Sequence, residues 1–343
     1  MMARYVAFGE IMLRLKPPGA QRLFQSPVLE ATFGGGEANV AVALAGFGCQ
    51  VSFVSVIPAN AVGEACVGEL RRHGVDTSLI VRKAGRLGIY FLEAGANQRP
   101  SVVIYDRSGS AISEARCGDI DWDKTFAGAG WLHITGITPA ISLSAAELSL
   151  EAVRRAREKG LTVSCDLNYR KNLWKYGRKA PEIMGEIVKL VDVAVANEED
   201  CQNALGITAQ VDVESGKLDP SAYRKLTERV MAAFPNLTHV AVTMRESRSA
   251  DQNGWSAVLA TRKEFLVSRR YDITDIVDRV GTGDAFAAGL LYGLGRFSAA
   301  QDALEFATAA SCLKHSIPGD LPLLSAAEVT ALVEGSGSGR VQR

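Results

Sequence analysis

The stretch Asp275-Ile-Val-Asp278-Arg-Val-Gly281-Thr282-Gly283-Asp284-Ala-Phe-Ala-Ala-Gly289 decides how the rest of the chain is read. An apolar, β-favouring segment runs into Gly-Thr-Gly, then an acid, then a small-residue helix through Leu291 and Leu294. The two glycines let the backbone turn tightly, so several N–H groups point into one space at a helix N-terminus. That arrangement suits a phosphate, or an anion forming on one. Asp284 enters the helix at the same spot, where a carboxylate repels an anion. Either it accepts a proton from an attacking hydroxyl or it is merely the N-terminal cap. Short glycine-rich motifs are weak signals by themselves, and the remaining residues must separate the two readings.

Working outward, the 343 residues carry 38 Lys+Arg against 38 Asp+Glu, so no global basic field draws nucleic acid or an anionic membrane surface. The apolar fraction of 47% is ordinary for a globule with a sizeable core. Cys49, Cys66, Cys117, Cys165, Cys201 and Cys312 are scattered without a CxxC pair, and the four histidines are equally dispersed, which excludes zinc-type spacing. Cys165 and Cys201 read as small core residues. No apolar run is long enough to span a bilayer, and the N-terminus starts straight into a strand. The expectation is a soluble, cytoplasmic protein.

Tyr5 to Leu15 reads as one strand, broken by Pro17, Pro18 and Gly19. Phe33-Gly34-Gly35-Gly36-Glu37-Ala38-Asn39 then opens an alanine- and valine-rich helix with almost no polar face. Three glycines before a buried helix let something approach the backbone closely, or else serve tight helix–sheet packing. Asn39, polar inside that run, favours a ligand contact. Leu87 to Ala94 and Ser101 to Tyr105 are strand-like pieces joined by a hairpin signal. They interrupt the βα rhythm and are assigned to a small β lid, formed by roughly 12–33 and 87–107, that carries Tyr90, Tyr105 and Arg107. From Trp131 onward, strands alternate with helices, which predicts a doubly wound, mainly parallel α/β sheet with helices on both faces. Residues 1–333 form one domain on this reading, and 334–343 a flexible tail. In such a sheet ligands bind beyond the carboxyl ends of the strands. Asp166-Leu-Asn168-Tyr-Arg170, Asn197-Glu-Glu-Asp200, Thr243-Met-Arg245 and Gly281 to Asp284 all fall there.

With these residues assembled, the chain resembles the ribokinase-like (PfkB) carbohydrate kinases. Gly34-Gly-Gly-Glu-Ala-Asn39 matches the first signature of that family and Asp275 to Gly289 the second, in the right order and separation. Gly9-Glu-Ile-Met-Leu-Arg-Leu, Tyr105-Asp-Arg107, Gly136-Ile-Thr-Pro-Ala140, Asp166-Leu-Asn-Tyr-Arg170 and Ser316-Ile-Pro-Gly-Asp320 are similar to the branch acting on 2-keto-3-deoxygluconate. The resemblance implies transfer from ATP, with Mg²⁺, to the C6 hydroxyl of that sugar acid. It further implies that Gly34, Gly35, Tyr90, Tyr105, Arg107, Arg170 and Asp320 hold the acid, with Gly36 and Asn39 beside them. Asp284 would be the base, and the amides of Gly281, Thr282 and Gly283 the anion hole. Asn168, Asn197, Thr243 and Arg245 fall on the nucleotide side. Asp200 is assigned to magnesium through water, and Asp278 to a monovalent cation such as K⁺.

Relatives acting on neutral sugars carry an aspartate where this chain has Arg14, and guanidinium groups match a carboxylate bidentately. Arg14 therefore either joins Arg107 and Arg170 at the acid or turns outward. Three departures stand out. Asp200 replaces the glutamate of an Asn-x-x-Glu element, leaving Glu198 and Glu199 as alternatives. Residues 245–255 read as a longer loop where relatives have Lys-x-Gly. Thr282 stands where a smaller residue is commoner. The rival readings are a kinase of the same family for fructose, ribose or a deoxy-inositol acid, and a non-catalytic sugar-binding relative. A nicotinamide dehydrogenase is excluded by the missing GxGxxG. Unpaired lid edges point to a homodimer or larger homo-oligomer.

Overall fold

A computed structural model of the chain describes residues 4–208 and 219–335. Its main sheet has nine strands. In spatial order the path runs Phe265–Val267, Asn253–Thr261, His239–Ser247, Val193–Ala196, Thr162–Asp166, Ala129–Thr135, Arg4–Phe8 and Val51–Val54, with Tyr271–Ile273 added beside Asn253–Thr261. From His239–Ser247 to Val51–Val54 every pairing is parallel. The parallel strands are short apolar runs such as Val193-Ala-Val-Ala196, buried throughout, because helices cover both faces.

The doubly wound, mainly parallel α/β architecture expected from the βα rhythm is present. One edge differs: Asn253–Thr261 runs antiparallel to His239–Ser247, and two further antiparallel strands follow it. Residues 245–255 are therefore not a long loop. The two strands pair from His239 with Thr261 through to Ser247 with Asn253, leaving only residues 248–252 to turn between them.

A separate four-stranded sheet stands over the carboxyl ends of the parallel strands, in the order Glu30–Gly34, Met12–Lys16, Gly88–Glu93, Val102–Asp106. The stretch from Tyr5 to Leu15 is thus two strands. Arg4–Phe8 ends in the main sheet, and after Gly9 the chain crosses into the lid as Met12–Lys16. After the main-sheet strand Val51–Val54, the chain enters a small third sheet as Val56–Pro58, which pairs with Val81–Lys83. The segment after Asp275, expected to be β-like, is irregular, and Asp275 itself has φ +56°. Of the tail assigned to 334–343, all but Glu334 and Gly335 lies outside the described residues.

Helix starts follow their caps. Asn60 accepts from Gly63 N–H at 3.0 Å, Ser142 from Ala145 N–H at 3.1 Å, and Asn197 forms a reciprocal capping box with Asp200. The helix Gly36–Gly46 is buried along most of its length because it lies between the sheet and the helix Thr282–Arg296. Thr282–Arg296 in turn packs on Ala300–Lys314 so closely that a Cβ on Gly293 would sit 2.6 Å from the Ala303 Cα. All six cysteines are free, and Cys165 and Cys201 are fully buried core residues, as the sequence suggests. Among the described residues, no helix is long and apolar enough to cross a membrane.

Candidate active site

Between the strand ends and the lid lies a cleft of about 440 Å³. Its floor is the start of the helix Thr282–Arg296. Gly281 caps that helix with φ +82°, a left-handed conformation that glycine adopts without penalty. The first intrahelical bond runs from Ala285 N–H to Gly281 O at 2.9 Å, so the amides of Thr282, Gly283 and Asp284 precede it and have no partner within the helix. A Cβ on Gly283 would meet nothing within 4 Å and would stand in the open cleft, where a bound anion needs room.

Asp284 is buried at 8% exposure and lines the cleft. Its Oδ2 accepts from Asn39 Nδ2 at 2.6 Å, which brings together the two glycine signatures, 245 residues apart. Burial pushes the Asp284 carboxyl up to about 6. The Asn39 hydrogen bond opposes this, Asp320 adds to it, and Arg170 and Lys314 oppose it. A cap would accept from its own helix's amides; this carboxylate bonds to another helix and faces the cavity. Gly36 sits next to it, since a Cβ there would lie 3.5 Å from Asp284 Oδ1.

The lid wall carries Tyr90, Tyr105 and Arg107. Tyr90 Oη donates to Asp320 at 2.6 Å to either oxygen, and the Tyr105 ring lies 6.0 Å from that of Tyr90. Arg107 is ion-paired to Glu10 and lies 5.3 Å from the Tyr105 ring centroid, while its Nε is buried without a partner among the described residues. Ser110 Oγ donates to the second Glu10 oxygen at 3.0 Å, so Glu10 fixes one side of the guanidinium. Arg170 is exposed to the cleft, and its guanidinium donates to the Tyr169 carbonyl at 3.3 Å.

Across the cleft, Asn168, Asn197, Asp200, Thr243 and Arg245 line the wall. The Arg245 guanidinium lies 5.3 Å from the Trp255 ring centroid, a cation–π pair. Asn168 holds φ +37°, uncommon for a side-chain-bearing residue, with its N–H donated to Asp166 Oδ1 at 3.2 Å. Asp166, which sequence reasoning passed over as an individual residue, faces the same cleft. Desolvation and then the Asp200 and Asp284 charges hold its carboxyl well above the usual range, and burial raises Asp200 too. Asp200 Oδ2 accepts from Asn197 N–H at 2.9 Å and Oδ1 from Tyr169 N–H at 2.8 Å. Two desolvated acids at a polar cavity form a donor set for a hard cation that keeps most of its waters. Among the described residues, no cluster of three or more such ligands exists.

Three expected site residues do not line the cleft. Arg14 neither reaches the cleft nor turns outward. It is 1% exposed, and its guanidinium is held by Asp320 and Asp278 at 2.5 Å each. Burial works against that charge, but Asp320 and then Asp278 keep it above the usual arginine value. Asp278 does not fit a cation site: Oδ2 binds Arg14 and Gly319 N–H, and Oδ1 accepts from Val280 N–H at 3.0 Å. The arginine already supplies the positive charge. Gly34 lies against Asp320, where a Cβ would sit 2.1 Å from Oδ2. Arg279 and Trp255 join the lining unforeseen; Arg279 is held by the carbonyls of Ser249 and Ala250 in the 248–252 turn.

The model of the pfkB family carbohydrate kinases matches residues 2–321. The chain belongs to this family. As a pfkB-family kinase it is a phosphotransferase. A 2-dehydro-3-deoxygluconokinase of known crystal structure from Thermotoga maritima is 46% identical, covers 98% of this chain and 99% of its own, and superposes with a TM-score of 0.92. The 2-dehydro-3-deoxygalactonokinase of Haloferax volcanii is 34% identical over 99% of each chain. The 2-dehydro-3-deoxygluconokinase of Bacillus subtilis is 27% identical over 95% of this chain and 94% of its own.

Proposed function

We propose that this kinase transfers the γ-phosphoryl group of ATP to the C6 hydroxyl of a 2-keto-3-deoxy sugar acid, 2-keto-3-deoxygluconate in the first place. The observation that carries this reading is the position of Asp284. It is a buried carboxylate at the entry of a helix with open amides, facing across the cleft to Arg107 and Arg170. The names of the relatives support a keto-deoxy acid, and because one of them acts on the galactonate form, the C4 epimer is a second substrate to be compared.

In the proposed mechanism the acid lies between sheet and lid, its carboxylate on Arg107 Nε and Arg170, its hydroxyls toward Tyr90 and Asp320. Asp284 takes the C6 hydroxyl proton as that oxygen forms its bond to the γ-phosphorus. The bond from phosphorus to the β,γ-bridging oxygen breaks, and ADP leaves with the electron pair. The amides of Gly281 to Asp284 offset charge gathering on the transferred oxygens. Arg245, Thr243, Asn168 and Asn197 face the nucleotide. Magnesium, brought in with ATP, would be held through water by Asp166 and Asp200, and it supplies neutralisation of phosphate charge. Asp278 is not assigned a potassium ion, since Arg14 already neutralises its carboxylate.

Arg14 serves the acid indirectly. By neutralising Asp320 it removes a charge that would repel the substrate's carboxylate. The outer lid strand exposes Val102, Val103, Ile104 and Tyr105 at 40–51%, with one unpaired backbone edge. A second copy of the chain, pairing strand to strand, is the proposed cover. The six free thiols fit a reducing, cytoplasmic setting.

The test is ³¹P and ¹³C NMR of the product together with Asp284→Asn. Phosphate at C6, and a fall in turnover of about 10²–10⁴-fold with sugar-acid binding retained, are expected for loss of a general base. Phosphate at another carbon, or a fully active Asn variant, would overturn the proposal.

A further inference from the structure

The C-terminal end of the helix Ala300–Lys314 is built against the turn that carries Gly281 and Thr282. Ser311 Oγ donates to the Thr282 carbonyl at 2.7 Å. The His315 carbonyl, one residue past the helix, accepts from Val277 N–H at 2.9 Å and Asp278 N–H at 3.3 Å. Between these two braces lies Lys314, with 0% exposure. Its Nζ donates to the Ile317 carbonyl at 3.0 Å. Its methylenes run beneath Gly281, where a Cβ would stand 3.3 Å from Lys314 Cε and 2.0 Å from the Asp320 carbonyl oxygen.

A wholly buried ammonium is costly unless carboxylates surround it. Here Asp278, Asp320 and Asp284 all act on Lys314 and oppose the lowering that burial imposes, while Arg14 adds to it. We propose that Lys314 is a positioning residue for phosphoryl transfer: its side chain, buried against Gly281 between the Ser311 and His315 braces, holds the anion-binding turn, and its charge acts on Asp284 from the protein side. The proposal rests on Asp284 being the proton acceptor.

The charged surroundings of Asp284 are consistent with this role. Asn39 meets it from the helix Gly36–Gly46. Asp166, at the end of its strand, and Asp320, in the loop beyond Lys314, are like charges; Arg170 and Lys314 are the opposing ones. Arg170 stands in the open cleft, where a bound anion engages it. Lys314 approaches from the protein side, out of reach of ligand, so its charge stays available to Asp284 when the cleft is full. His315, the next residue, is buried and held neutral, its pKa lowered to about 4 by desolvation, and contributes no competing charge near pH 7.

The experiment measures kcat and kcat/KM from pH 5 to 9 for the wild type, Lys314→Gln, Lys314→Arg and Asp284→Asn, with thermal unfolding of each. Glutamine keeps a donor for the Ile317 carbonyl and removes the charge. A folded Gln variant is expected to lose about two-fold in kcat at pH 7, rising to about ten-fold at pH 5. Its acid limb should move up by about one pH unit, a ten-fold change in ionisation, and Lys314→Arg should return the limb to the wild-type position. A folded Gln variant whose limb stays in place overturns the proposal, whatever its kcat, because bracing alone would not move a titration. If the Gln variant does not fold, the Arg variant decides: a wild-type limb supports the role of charge, and a displaced limb refutes it. Turnover retained in Asp284→Asn would instead remove the base itself, a separate failure.

Discussion

Asn39→Ala should displace the acid limb of the pH–rate profile without abolishing the reaction. The Asp284 carboxyl stands at about 6 because burial outweighs the hydrogen bond from Asn39 Nδ2, 2.6 Å away. A hydrogen bond to a charged group contributes about 1.5–3 kcal/mol, and one pKa unit corresponds to about 1.4 kcal/mol. Losing the bond therefore raises the limb by about one to two units. At pH 7 the wild-type carboxyl is about nine-tenths ionised, whereas the variant's would be about half to one-tenth ionised. The expected kcat/KM at pH 7 is thus about two- to ten-fold lower relative to its own plateau at pH 9. Normalising to that plateau cancels any constant loss of binding, which matters because Asn39 lines the cleft. Coupled ADP release from pH 5 to 9 reads both profiles. In the wild type, kcat/KM should fall about ten-fold from pH 7 to pH 5, whereas an ordinary aspartate would lose only about a tenth over that range. A flat wild-type profile, or an unmoved limb in Asn39→Ala, would refute the assignment of Asp284 as the titrating base.

Three further outcomes follow from the same geometry. Because the folded-state value for Asp284 lies above the unfolded one, its charge lowers stability above about pH 6, and that penalty vanishes below about pH 4. Asp284→Asn should therefore unfold at a temperature a few degrees higher at pH 7 and no higher near pH 4, read by differential scanning calorimetry at both pH values. Arg14→Met would leave Asp278 and Asp320 buried without their partner and should cost about 3–5 kcal/mol in urea unfolding, whereas a surface-like loss below about 1 kcal/mol would show the pair to be dispensable. Arg107→Ala should lower kcat/KM for keto-deoxy acids by about 10- to 100-fold while affecting any residual neutral-sugar turnover much less, and equal losses on both would remove the carboxylate argument.

The sequence made the α/β architecture and the floor of the cleft readable because both rest on local chemistry. Apolar runs separated by helical patterns define the sheet, and Gly281 to Asp284 carries its turn, its amides and its acid within four residues. What escaped was set through space. Arg14 finds Asp320 306 residues away, so its capture by two carboxylates leaves no mark near position 14. The crossing of the chain from main sheet to lid after Gly9 was hidden because the residues on either side favour strand equally. Residues 245–255 are charged and polar enough to read as loop, yet pairing with a neighbouring strand imposes β-structure on them. Lys314 closes an alanine-rich helix, where a lysine normally meets solvent and the helix dipole; only packing against Gly281 shows it to be interior. Asp166 was legible as part of a polar cluster, but its coupling to Asp200 required both strand ends in place.

The most direct test of the central claim is coupled ADP release with ATP and Mg²⁺ against 2-keto-3-deoxygluconate, its galactonate epimer, gluconate, fructose and ribose. The cleft predicts that the keto-deoxy acids exceed the neutral sugars in kcat/KM by at least about 10²-fold, the discrimination expected when the buried Arg107 Nε is left without a partner by a substrate lacking a carboxylate. Fructose or ribose turned over as well as the acids would contradict it, leaving Asp284 and the fold in place but removing Arg107 and Arg170 as the determinants of the substrate.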